Sequence, residues 1–252
     1  MEFKILGGLE VADHGRLITP TAPKQRTVLA LLLVSSNDVV STGTLMEELW
    51  GEHPPQSAQT TLQTYIYQLR KLLGLGDGAW VTENLLLTRH GGYRLTVPDE
   101  RIDLARFEHL TADGRAALER SELEKASELL QQALELWRGP ALVDVTTGPH
   151  LEMYRVKLEE ARIRATELRI ECDMQMGRHH ELIGELKKLT LTHRLNEWFH
   201  YKLMVALSRS GRRHEALEEY QKLRRLLVDE LGVEPNPCIR SLQHKMLTSE
   251  AV

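Results

Sequence analysis

Cysteine is scarce in this 252-residue chain. Cys172 and Cys238 stand far apart, with no C-x-x-C spacing. A disulfide scaffold and a cysteine metal site are both excluded, and the pair reads as free thiols in a reducing cytoplasm. No apolar run approaches the roughly 18 residues of a membrane span. The first residues alternate and carry no cationic leader, so no signal peptide is expected. No G-x-x-x-x-G-K-[ST] loop exists to cradle a phosphate. Gly74-Leu75-Gly76-Asp77-Gly78 is glycine-rich but does not open a helix as G-x-G-x-x-G, and reads as a loop. His214-Glu215-Ala216-Leu217-Glu218 begins like a zinc-protease helix but lacks the second histidine one turn on. His179-His180-Glu181 fails in the same way, with Gly184 where a ligand would stand. No Ser/His/Asp or Cys/His set falls in an interpretable context. No catalytic residue, cofactor or metal is therefore expected, and the chain does not read as an enzyme. Aromatic residues make up 5% of the sequence. Trp50, Trp80, Trp137 and Trp198 sit among apolar neighbours and read as core residues, not stacking platforms.

Positive charge is also in short supply. The formal net charge is −4, which argues against a sequence-blind nucleic-acid binder. It leaves room for a local patch. What is present is ordinary globular material, 42% hydrophobic and 27% charged, long enough for two domains.

The most telling stretch runs from about Gln56 to Leu73. At about 100° per residue, Ala58, Leu62, Tyr65, Ile66, Leu69, Leu72 and Leu73 gather on one side as a core stripe. Thr60, Gln63, Thr64, Tyr67 and Lys71 gather on the other, with Arg70 at its edge. An ordinary exposed face would interleave acids and bases at i,i+4 spacing. This face has no acid. It offers hydroxyls, amides and cations, the groups that bond base edges and phosphates in a major groove. A solvated polar helix that happens to lack acids is the competing explanation.

The flanking sequence supplies the context. Phe3, Ile5 and Leu9-Glu10-Val11 alternate like short strands broken at Gly7-Gly8. Lys24 to Val34 reads as a helix. Ser41 to Thr44 supplies capping residues for a second helix, Leu45 to Trp50, and Gly51 to Pro55 form a turn. After the third helix, Trp80-Val81 and Leu85 to Thr88 look like strand pieces. Arg89-His90-Gly91-Gly92 makes a turn, and Tyr93 to Val97 returns from it. Three helices followed by a hairpin with a cationic tip make a winged helix-turn-helix, with front strands of the response-regulator output type. Lys24, Arg26, Arg70 and Lys71 are the expected phosphate ligands. Thr60, Gln63, Thr64 and Tyr67 are the base-edge or groove-wall candidates. Arg89 and His90 are placed at the neighbouring minor groove, with Arg94 as a further wing cation. The competing explanation is a plain hairpin turn whose glycines supply positive φ, but position at the tip of a winged helix favours DNA contact.

Pro98-Asp99-Glu100 marks the expected boundary, with residues 1–97 as a folding unit able to bind DNA by itself. From Asp103 to about residue 248 the pattern is helical almost without break. Gly177 and Gly211 stand 34 positions apart, the tetratricopeptide period, and each opens similar text. An earlier copy shows in Leu123-Glu124-Lys125-Ala126 followed by Ala133-Leu134. The expected architecture is thus mainly α with a small β part. A winged helix-turn-helix is followed by an all-α, tetratricopeptide-like domain of helical hairpins, whose stacked units leave a surface for a partner.

The segment from Val40 through Arg70, with LMEELWGEHPPQSAQTTLQTYIYQLRKLLG and then GGYRL, resembles the DNA-binding domain of the Streptomyces antibiotic regulatory protein family. ALELWRGPAL (Ala133 to Leu142), HHELIGELKKLTLTHRLNE (His179 to Glu197), LMVALSRSGRRHEALEEYQKLRRLLVDELGVEPNP (Leu203 to Pro237) and the closing LQHKML resemble that family's bacterial transcriptional activation domain. The resemblance covers the chain from about Glu2 to Leu247. One departure is Arg194, where the family commonly has proline, which bears only on the local turn. The resemblance implies a cytoplasmic, nucleoid-associated activator that binds direct repeats of double-stranded DNA near a promoter. It also implies protomers lying side by side, contact with RNA polymerase and its sigma factor, and control of a secondary-metabolite gene cluster in an actinomycete. With no receiver or ATPase module beside these segments, the expected input is the protein's own abundance. The alternative is a helical-repeat adaptor that binds proteins without recognising DNA; such a role would not need an acid-free helix face.

Overall fold

A computed structural model describes residues 1–74 and 85–248. The chain begins with a small antiparallel sheet of β1 (Glu2–Lys4), β2 (Glu10–Asp13) and β3 (Arg16–Leu17) in that order. Phe3 pairs with Val11, and both side chains are buried, while Lys4 and Glu10 meet outside at 4.0 Å. α1 (Pro23–Val34) starts with proline, whose missing N–H is no loss in a first helical turn. It is buried from Thr27 through Leu33 on every side, as suits a central helix.

β4 (Val39–Ser41) leads into α2 (Thr42–Trp50), where the Ser41 hydroxyl accepts from the Thr44 N–H at 2.9 Å. Gly51, at φ 60°, ends that helix in a conformation other residues rarely adopt. α3 (Ala58–Leu73) buries Ala58, Leu62, Ile66, Leu69 and Leu73, the three-and-four spacing of a core face. β5 (Leu86–Arg89) and β6 (Gly92–Leu95) form the wing, and the sheet order is β4-β6-β5. At Gly92 a Cβ would run into the carbonyl of Val40, so glycine lets β4 and β6 close together. Trp80-Val81 and the glycines at 76 and 78 lie outside the described residues.

The remainder is helical: α4 (Asp103–Glu119), α5 (Leu123–Glu135), α6 (Pro149–Gln175), α7 (His179–Thr192), α8 (Glu197–Arg209), α9 (Arg213–Leu231) and α10 (Pro237–Thr248). Two compact units result. One joins residues 1–120 with 128–168, and the other joins 121–127 with residues from 169 onward. The first unit therefore extends well past Pro98.

Its cohesion has specific causes. The Asp103 carboxylate, 5% exposed, accepts the backbone N–H groups of Ile5 and Leu6 at 2.8–3.0 Å. Burial pushes its pKa up, against those amides and the nearby Arg138, so the carboxyl sits above its usual range. Arg138 and Leu142 donate their N–H groups to Leu6 and Ile5. Phe107 and Trp137 meet edge to face at 5.4 Å. Trp137 is buried, whereas Trp50 and Trp198 are half-buried.

The second unit displays the repeat directly. Gly177 (φ 79°) and Gly211 (φ 77°) each join two helices through the same turn. In the first, Gly177 and Arg178 donate to Met174 and Asp173; in the second, Gly211 and Arg212 donate to Ser208 and Leu207. Ser121, at φ 60°, stands two residues before α5 just as the glycines stand two residues before α7 and α9. The turn after α7 closes around Arg194, which pairs with Glu230 at 2.9 Å, while Asn196 caps α8. Inside the unit, His200 contacts the Glu219 carboxylate at 2.8 Å and the Arg194 carbonyl at 2.9 Å.

Candidate nucleic-acid interface

α3 presents Gln59, Thr60, Gln63, Thr64, Tyr67, Gln68, Arg70 and Lys71 to solvent, with no carboxylate among them. Thr60, Gln63, Thr64, Tyr67 and Lys71 fall in a strip about 100° wide, running roughly 16 Å along the helix. Tyr67 is 67% exposed, a large side chain with no core to fill. Thr64 donates its hydroxyl to the Thr60 carbonyl at 3.0 Å. That leaves a methyl group and an acceptor facing outward. The Gln63 amide and the Lys71 ammonium make no hydrogen bond or ion pair among the described residues.

Arg70 is placed differently from the phosphate role expected of it. Its Nε donates to the Leu86 carbonyl at 2.9 Å, and a terminal nitrogen donates to the Thr88 hydroxyl at 2.9 Å. Two of the three guanidinium nitrogens brace α3 against β5, and the residue stays exposed. Sequence spacing could not reveal this, because the partners lie on another element.

Arg26 is also engaged within the fold. It ion-pairs with Asp144 and donates to the carbonyls of Pro20 and Leu9, with its side chain 14% exposed. Lys24 lies 4.7 Å over the Trp50 ring and donates to the Leu49 carbonyl at 3.3 Å. That lysine charge meets the carbonyl end of α2, where a cation is favoured. Arg26 is thus engaged within the fold, and Lys24 is half-buried against Trp50.

At the wing, Arg89 and His90 are exposed at the tip and make no ion pair among the described residues. Gly91, at φ 75°, turns the chain, and its carbonyl accepts from both the N–H and the hydroxyl of Thr42. The tip is therefore tied to the start of α2. Arg94 is half-buried in the middle of β6, opposite Val39 and Leu87, with its Nε buried and unpartnered among the described residues. It is a strand residue, not a tip residue. Gln59 and Gln68 were not among the expected contacts, although both are exposed. Gln68 accepts from Gln25 at 2.6 Å, tying α3 to α1. Gln59 is adjacent to Thr60 and equally exposed, so the same polar-face signal could have found it.

Among the described residues, no cluster of three or more His, Cys, Asp or Glu side chains could hold a metal ion. No helix there is long and apolar enough to cross a membrane. His214 makes an exposed contact with Glu218 at 3.7 Å.

Comparison with known proteins gives this arrangement its context. Residues 18–95 match the family described as transcriptional regulatory protein, C terminal, and residues 102–247 match the bacterial transcriptional activator domain. The chain is 44% identical over 253 residues to Regulatory protein DnrI of Streptomyces peucetius, covering 99% of this chain and 93% of that protein. It is 38% identical to Regulatory protein AfsR of Streptomyces coelicolor over 99% of this chain, but spans only 24% of that longer protein. A solved structure, Mycobacterium tuberculosis EmbR in complex with a low-affinity phosphopeptide, superposes with a TM-score of 0.92. That structure is 33% identical, with 100% of this chain and 66% of the other covered. A winged helix-turn-helix followed by this activator domain, shared with relatives named as transcriptional regulators and not as enzymes, makes the chain a member of the Streptomyces antibiotic regulatory protein family.

Proposed function

We propose that the chain activates transcription by inserting α3 into the major groove of double-stranded DNA. The observation that carries this reading is the exposed, acid-free strip of Thr60, Gln63, Thr64, Tyr67 and Lys71 opposite a closed apolar face. Amides and hydroxyls read base edges, and Lys71 neutralises a phosphate. Arg89 and His90 approach the neighbouring minor groove from the wing tip. Arg70 holds the wing against the reading helix.

On this reading, protomers occupy direct repeats near a promoter side by side. The helical half then offers contacts to RNA polymerase with its sigma factor, and the controlled genes form a secondary-metabolite cluster. The relative DnrI is a named regulatory protein of Streptomyces peucetius, which supports this assignment of context. The setting is the cytoplasm, at the nucleoid.

Footprinting on genomic fragments from the producing organism tests the reading, followed by gel shift on the protected sequence and on random duplex at two salt concentrations. Protected direct repeats with a clear preference over random duplex support it. Equal affinity for both duplexes refutes sequence recognition. Absence of any shift leaves the protein-only adaptor as the better account.

A further inference from the structure

Glu48 lies on α2, which packs on α3, and is 5% exposed. One oxygen accepts the Gly148 N–H at 2.5 Å, and the other accepts those of His150 at 2.8 Å and Leu151 at 3.2 Å. The His150 and Leu151 N–H groups belong to the first turn of α6 and that of Gly148 to the residue just before it, and none has a backbone carbonyl partner among the described residues. A negative charge is favoured at such a helix start. Gly148 permits the approach, since a Cβ there would collide with the Glu48 carbonyl. Four further contacts tie the same segment to the winged helix. His150 meets Glu47 at 2.9 Å, and Thr27 donates to the Thr146 carbonyl at 2.8 Å. Asp144 pairs with Arg26 and accepts the Leu9 N–H at 2.8 Å.

We infer that Glu48 is a positioning residue for DNA recognition, acting on α3 through α2 by capping α6. The inference rests on the reading of α3 given above. A cap that is released lets α2 move against α3. Only the fraction of molecules with α2 in place binds well, so apparent affinity falls in proportion to that fraction. Linkage makes the effect reciprocal: DNA that selects the placed state must also tighten the cap. Purely local stabilisation of α6 would not respond to DNA at all.

The experiment uses the full chain. Cognate duplex found by footprinting and random duplex of equal length are titrated against wild type and Glu48→Gln, at a temperature where both are folded. Glutamine keeps the size but turns an N–H₂ group toward amides that need an acceptor. The expected result is about tenfold weaker binding to the cognate duplex with an unchanged log–log salt slope, because no phosphate contact is lost. In wild type, hydrogen exchange of the His150 and Leu151 amides should slow severalfold when cognate DNA saturates the protein. Unchanged affinity in Glu48→Gln overturns the inference, as does amide exchange indifferent to DNA. A reduced salt slope overturns it too, since Glu48 would then act through charge at the DNA. If Glu48→Gln does not fold, the wild-type exchange measurement decides alone. A wild type that cannot tell the two duplexes apart refutes the reading of α3 itself, which is a separate outcome.

Discussion

Arg70 and Lys71 are adjacent, equally cationic and both exposed, yet their predicted roles differ. Replacing Arg70 with alanine removes two hydrogen bonds to β5, at 2.9 Å to the Leu86 carbonyl and 2.9 Å to the Thr88 hydroxyl. Hydrogen bonds of this kind contribute about 1 kcal/mol each, less for the solvent-exposed one. Docking of the wing on α3 should therefore weaken by about 1–2 kcal/mol, or roughly five- to thirtyfold in an equilibrium constant. The loss should reach DNA binding because the wing must be re-docked at that cost before Arg89 and His90 engage, with the same cations in place in the complex. Lys71→Ala removes a phosphate ligand instead. Fluorescence anisotropy with a labelled cognate duplex, repeated between roughly 50 and 200 mM salt, separates the two. Lys71→Ala should make the log–log slope shallower by about 0.9, while Arg70→Ala should lower affinity at every salt concentration with the slope intact. A slope change of that size in Arg70→Ala would show that the guanidinium leaves β5 to hold a phosphate, and the bracing role would fall.

Gln63→Ala should cost about 1–3 kcal/mol on the cognate duplex and clearly less on random duplex, measured by competition gel shift; equal losses would remove Gln63 from base readout. Gly92→Ala forces a Cβ against the Val40 carbonyl, so thermal unfolding should report about 1–3 kcal/mol of destabilisation. At Glu219, burial pushes the carboxyl up, but the His200 hydrogen bond and the charges of His200 and Lys222 outweigh it and hold the pKa below 4.5. Its ionised form therefore stabilises the fold above the unfolded pKa, and that stability is lost as pH falls through the lower folded value. The stability gap between wild type and Glu219→Gln should accordingly shrink on acidification below about pH 4.5; a gap that widens in denaturant titrations there would contradict the assignment. A fragment ending at Val97 strips Glu48 and the Ile5 and Leu6 amides of their partners, so it should unfold at lower denaturant and bind DNA more weakly than one ending at residue 168. Equal midpoints and affinities would mean that those contacts stabilise nothing.

The three helices of the winged domain could be read from the sequence because each carries a local signal, whereas the short β3 and β4 carry none long enough to show. Pro23 opens α1, Ser41 caps α2, and Ala58, Leu62, Ile66 and Leu69 keep helical spacing along α3. The repeat in the helical half was equally legible at Gly177 and Gly211, where the turn needs positive φ. Its first copy was harder to place, because Ser121 adopts positive φ there without a glycine to mark it. The polar strip on α3 was readable for the same reason as the apolar one: both follow a single helical period. What could not be read was how charge is spent across distance. Arg26 finds Asp144 and Glu48 finds Gly148 through contacts separated by about a hundred residues or more. No periodicity encodes such pairs. Cations near α3 looked alike in the sequence, and only their neighbours distinguish those engaged within the fold from those that are not.

That internal spending of cations bears on how the protein searches a genome. On α3 and the wing tip, Lys71 and Arg89 make no ion pair among the described residues. On the proposed reading, two such phosphate contacts correspond to a salt slope of roughly −2, shallow beside proteins that grip the backbone with many cations. Bulk chromosome is then a weak competitor, and molecules dissociate quickly from irrelevant sequence. Little protein is sequestered, so the free pool tracks synthesis closely. A single site fills poorly under the same conditions, and neighbouring copies that support one another must supply the missing affinity. On that reading, occupancy of tandem sites would rise steeply over a narrow range of copy number, a threshold response.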